Sequence, residues 1–147
     1  MTVDALDLDI IRKLNSGVMS PKVIAEELNS SYNTVRRRLK RLEKNEVIKI
    51  KGSINADKIP NHFLGLVCLN FNTRDLQKRA EEISKLDGVI SVAIVTGKFD
   101  LVVLVLLNEK NNLYNFNIKQ MSKIEGITFS ETFVMYRNIN WEVPYVL

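Results

Sequence analysis

Residues 89–107 read VISVAIVTGKFDLVVLVLL. Two apolar runs of strand length, Val89–Val95 and Leu101–Leu107, flank the turn TGKFD. Runs this short and this rich in valine and isoleucine are strands rather than buried helix. On either side the period lengthens. NTRDLQKRAEEISKLDG (72–88) opens at an Asn/Thr cap, closes at Gly88, and places Leu76, Ala80, Ile83 and Leu86 on one helical face. NEKNNLYNFNIKQMSKIEG (108–126) reads as a second helix, with Leu113, Met121 and Ile124 among its apolar positions. Further out, FLGLVCLNF (63–71) and ITFSETFVMYR (127–137) are strands. The order β-α-β-β-α-β is the ferredoxin-like arrangement. With both helices on one face of the sheet, strands as apolar as LVVLVLL need a cover for the other, most simply a second copy in a two-fold dimer.

Ahead of this unit the chain reads as three helices. DLDIIRKLN has Leu8, Ile11 and Leu14 one turn apart. SPKVIAEELN offers Ser20 as N-cap and Pro21 at the first helical position, with Val23, Ile24 and Leu28 facing inward. After the break NSS, Ser31 caps a third helix that runs to about Lys44, and Asn45 is placed to end it in a left-handed conformation. From Val47 the period falls to two, so VIKIKGSIN is expected to be a short strand kinked at Gly52. The fold class is therefore α+β: a three-helix, winged-helix-like helix-turn-helix domain over 1–50, a hinge strand and linker over 51–61, a ferredoxin-like domain over 62–138, and a tail over 139–147.

Charge separates the same two parts. Residues 1–60 hold 12 of the 21 Lys+Arg and 8 of the 17 Asp+Glu, so the whole excess of +4 lies there. It gathers on the third helix, YNTVRRRLKRLEKN (32–45), where six cations face the single acid Glu43. On a helical wheel Val35, Leu39 and Leu42 form the buried stripe, while Asn33, Arg37, Lys40, Arg41 and Lys44 project away from it. A merely solvated face would mix signs to gain i,i+4 pairs. The last of three helices in this order is the one that enters the DNA major groove. Asn33 can pair with adenine and Arg36 or Arg37 with guanine, with Thr34 beside them in the first turn. Lys40, Arg41 and Lys44 suit phosphates, to which Ser31 and the helix N-terminus add backbone N–H groups. Arg38 flanks the core and can lie against the first helix.

LDLDIIRKLN…IAEELNSSYNTVRRRLKRLEKNEVIKIKGSIN, followed by a split-βαβ unit that contains VTGKFDLVVLV, resembles the Lrp/AsnC (feast/famine) transcription regulators. The likeness rests on an "LD…D..IL..L" opening, a recognition helix ending "R.R...LE..G.I" and a "TG.YD" turn, and it runs from about Leu6 to Arg137. It implies a homodimer, often joined into tetramers or octamers, that binds promoter DNA and takes a small effector, usually an amino acid, near that turn. By position the effector candidates are Gly97, Lys98 and Asp100, with Thr132 on the last strand. Two positions depart from the family. Lys98 replaces a frequent acid, which implies an anionic ligand or a member without an effector, and Glu46 replaces a glycine.

The alternative on the same architecture is a sirohaem-decarboxylase-like enzyme, which depends on histidine and arginine around a tetrapyrrole pocket. The chain offers one histidine, His62, and only Arg74, Arg79 and Arg137 in its second part. The lone Cys68 sits in a strand and makes neither a disulfide nor a thiolate metal cluster. No catalytic group, metal or cofactor is expected. With an acidic N-terminus and no long apolar run, a cytoplasmic location is expected.

Overall fold

The computed structural model describes residues 2–18 and 20–147. The chain divides into two units between Lys51 and Gly52.

In the first unit, α1 (Ala5–Asn15), α2 (Pro21–Glu27) and α3 (Tyr32–Lys44) bury Ile10, Ile24, Ala25, Val35 and Leu39 in one cluster. Val35, Leu39 and Leu42 are buried as the wheel places them. In the other two helices Leu14, Ile24 and Leu28 pack in that cluster as expected, but two positions differ. Leu8 and Val23 are exposed, and the inward positions of α1 are Asp7 and Ile10. Asp7 explains this: its side chain accepts from the Asp4 backbone while Asp4 accepts from Asp7, a reciprocal cap that fixes the first turn. At the end of α2 Asn29 takes a left-handed φ of 50°, and Ser30 N–H closes on Ala25 C=O at 2.9 Å.

Asn45 does not end α3 in the left-handed region; its φ is −94°, and its amide donates to Arg41 C=O at 2.7 Å. The left-handed residue is Glu46, at φ 56°, where the resemblance expects glycine. A residue bearing Cβ is held there at a cost of about 1–2 kcal/mol, of which glycine's greater unfolded freedom would take back about 0.5–1 kcal/mol. Glu46→Gly is therefore expected to raise the stability of this unit by roughly 0.5–1 kcal/mol, read as a higher midpoint in urea.

The strand expected from Val47 is confined to β1 (Ser53–Ile54), which pairs with β6 (Val143–Pro144) in the second unit. Ser53 Oγ donates to the Glu142 carboxylate at 2.8 Å beside this ladder. The residues read as linker and tail thus meet across the ferredoxin-like unit.

That unit contains β2 (Phe63–Phe71), α4 (Leu76–Ile83), β3 (Val89–Ile94), β4 (Leu101–Leu107) and β5 (Ile127–Val134). The sheet order is β3-β4-β2-β5, antiparallel throughout. Helix α4 starts later than expected, capped by Asp75, because Asn72 still bonds to Gly126 C=O at 2.9 Å. The second helix is not α-helical. Asn115–Gln120 is a π-helical stretch followed by a 3-10 turn, Met121–Lys123. Ahead of it the carbonyl of the Asn108 side chain accepts from the backbone of Lys110 and Asn111, and Asn112 accepts from Asn115, local bonds that displace regular helix.

Odd-numbered β2 residues Val67 and Leu69 join Ile83, Phe116 and Met121 in the helix-side core. The opposite face is partly covered: Leu64 and Leu106 pack with Ala56 and Val143. The register carries Leu66, Cys68, Val102, Leu104, Phe129 and Phe133 across the same face. Phe129 and Phe133 remain exposed there.

Candidate functional site

Ser31 accepts from Thr34 N–H at 3.1 Å and donates its hydroxyl to Thr34 Oγ1 at 2.8 Å, so both side chains are spent fixing the first turn of α3. This leaves Ser31 to act through position and backbone. Asn33, Arg36, Arg37 and Lys40 line one shallow recess of about 270 Å³. Among the described residues, neither they nor Lys44 enter an ion pair.

Arg38 and Arg41 behave differently. Arg38 donates to Asp4 at 2.6 Å and to Asp7 at 2.8 Å, bearing out its place against the first helix. Arg41, read above as a phosphate ligand, donates to the fully buried Asp7 carboxylate at 2.5 Å while its side chain stays 42% exposed. The reading missed Asp7 because a wheel scored for apolar residues turns an aspartate outward.

The Arg38 hydrogen bond, helped by Asp7 N–H, holds the Asp4 carboxyl below its ordinary 3.8. A depressed folded value means that its stabilisation is complete above about pH 3.8 and is lost as pH falls through the lower folded value. Melting temperature is therefore expected to drop as pH falls below about 3.8, and Asp4→Asn to make that drop shallower in melts followed by circular dichroism.

The effector candidates do not converge. Gly97, at φ 134°, occupies a backbone region that disfavours side chains. Lys98 reaches Glu131 at 3.5 Å and lies 5.0 Å from the Phe99 ring centroid, and Phe99 stacks on Phe129. The Asp100 carboxylate accepts from Phe71 N–H at 2.8 Å, while its own N–H donates to Leu69 C=O at 2.9 Å, stitching the turn to the end of β2. Glu131 pairs opposite Cys68 and Thr132 opposite Val67, so Lys98 and Thr132 belong to opposite faces of the sheet. Thr132 lines a recess of about 490 Å³ with Asn117, Met121, Ser122, Ile127 and Ser130. The i,i+2 pair Ser130 and Thr132 is legible in the strand, but nothing in the Asn-rich segment announces Asn117 or Ser122. His62 Nδ1 lies 2.8 Å from Pro60 C=O, and Arg79 is taken up by Glu82, so neither joins a tetrapyrrole-like cluster. No helix among the described residues is long and apolar enough to cross a membrane.

Residues 4–49 match the family described as winged helix-turn-helix DNA-binding, and residues 63–142 the Lrp/AsnC ligand binding domain. An uncharacterized HTH-type transcriptional regulator of Pyrococcus abyssi is 30% identical over 95% of this chain and 89% of its own. The HTH-type transcriptional regulator Ptr1 of Methanocaldococcus jannaschii is 29% identical over 78% of each. E. coli AsnC shares the fold at a TM-score of 0.72, with 16% identity over 94% of this chain and 95% of its own. A transcriptional regulator of Neisseria meningitidis, solved as a complex with L-Met, does so at 0.74, with 17% identity over 99% and 96%.

Proposed function

The chain belongs to the Lrp/AsnC family of transcription regulators, and we propose that it binds operator DNA as a two-fold dimer through α3, under the control of a small effector. The observation that carries the DNA half is the division of cations on α3. Among the described residues four stand outside any ion pair, three of them around Asn33 in one recess, while Arg38 and Arg41 are turned to α1. Asn33, Arg36 and Arg37 read base edges, Lys40 and Lys44 hold phosphates, and Ser31 and Thr34 set the first turn. With two lysines from each of two subunits, log K for the operator falls by roughly 3–4 for each log unit of salt. A gel-shift titration on the protein's own promoter measures this; binding that ignores salt refutes it.

The dimer is supported by the apolar sheet face, where Phe129 and Phe133 lie exposed beside Leu66 and Leu104. The effector role assigned to Gly97, Lys98, Asp100 and Thr132 is supported by the Thr132 recess and by the TGKFD turn, on opposite faces of one domain. A site using both requires residues from a neighbouring subunit. The recess lining is neutral and half apolar, which suits an uncharged or zwitterionic amino acid such as methionine better than an acidic one. A thermal-shift screen against the amino acids tests this, since a ligand bound only by the folded state raises its melting temperature.

A further inference from the structure

Resting on the DNA-binding reading above, we propose that Asp7 is a positioning residue that sets specificity: it withholds Arg38 and Arg41 from the DNA backbone and fixes the rotation of α3. Asp7 is fully buried, and its two carboxylate oxygens are divided between the two arginines of α3. Oδ1 accepts from Arg38 at 2.8 Å; Oδ2 accepts from Arg41 at 2.5 Å and from the Asp4 backbone at 3.1 Å. Asp4 takes a second share of Arg38, at 2.6 and 2.7 Å. Either arginine that swings toward a phosphate takes a charged partner from a buried carboxylate, which is unfavourable.

The consequence is a choice of which cations DNA meets. Phosphate contacts carry no sequence information, and each adds about 0.9 to the salt slope of binding to any duplex. A helix offering all six cations would gain most on the wrong DNA. Holding back two that lie one turn apart, Arg38 and Arg41, leaves Arg36, Arg37, Lys40 and Lys44 as the presented cations, with Asn33 among them.

The experiment uses the full-length protein, a duplex that the wild type selects from a random pool, and a scrambled duplex of equal length. Affinities are measured by fluorescence anisotropy across a salt series. Asp7→Asn is expected to bind the scrambled duplex about tenfold more tightly, with a slope steeper by about 0.9 for each arginine released per subunit. Affinity for the selected duplex moves less, so the ratio of the two falls. Adding Arg41→Gln returns part of the slope. Asp4→Asn, at a half-exposed position that holds only Arg38, shifts the slope in the same direction by less and serves where Asp7→Asn fails to fold. Slopes and ratio unchanged in the folded variants, or a parallel loss on both duplexes with unchanged slopes, would overturn the proposal and leave Asp7 a stability residue. Wild-type protein that binds no duplex in a salt-dependent way would instead refute the DNA-binding reading itself.

Discussion

Arg36→Ala and Arg37→Ala are each expected to reduce operator affinity by about 2–6 kcal/mol, because a bidentate contact to guanine is worth about 1–3 kcal/mol and a two-fold dimer makes it twice. The loss is expected to depend on sequence. For whichever arginine reads a guanine, wild type and variant converge on operators already altered at that base, and the variant's preference there relaxes. Lys44→Ala supplies the contrast. It weakens every duplex alike and lowers the salt slope by about 0.9 per subunit without changing the order of preferred sequences. Both sets come from anisotropy titrations on a panel of single-base operator variants. If both arginine substitutions weakened all duplexes equally, Arg36 and Arg37 would be phosphate ligands and base reading would rest on Asn33. The fold is not at risk in these variants: both arginines are exposed, and the buried side of α3 is Val35, Leu39 and Leu42.

Reading α3 from sequence succeeded where its buried residues are also its apolar ones. Val35, Leu39 and Leu42 recur at helical spacing, and no other residue competes for the inner face. The same method placed Leu14 but misplaced the first turn of α1, where the inner face carries Asp7 and a rule that scores hydrophobicity turned Leu8 inward instead. The partners that keep Asp7 inside, Arg38 and Arg41, lie 31 and 34 residues away, so no local window joins them. The spacing of Asp4 and Asp7 at a helix start did hold a local clue, a carboxylate at the N-cap and another three residues on. Strand order followed from alternation in the second unit. Its π-helical stretch was concealed by the apolar positions Leu113, Met121 and Ile124, although Asn108, Asn111, Asn112 and Asn115 pointed to side chains competing for the backbone. The β1–β6 ladder joins two dipeptides from the ends of the second unit and has no signature that a single segment could display. The effector candidates came by position from the family resemblance, and the register places Lys98 and Thr132 on opposite faces.

That register also selects the residue on which assembly can be tested most sharply. Phe133 is 49% exposed, stands opposite Leu66 on the apolar face, and takes no part in the helix-side core. Phe133→Asp leaves a lone subunit able to fold, since a half-exposed position can hydrate a carboxylate. Against a second sheet the same carboxylate loses its water, a penalty of several kcal/mol in each copy. An interface of ordinary size buries about 800 Å² per partner, and two such charges are enough to dissociate one that is micromolar or weaker. The variant is expected to elute and scatter as a monomer with a circular dichroism spectrum like that of the wild type, whereas Phe133→Leu stays assembled. DNA affinity falls with it, because one α3 must then hold a half-site alone, and the salt slope is expected to halve as half the lysine–phosphate contacts go. A folded Phe133→Asp protein that remains dimeric would place the interface elsewhere. A monomer that binds the operator as tightly as the wild type would separate assembly from recognition.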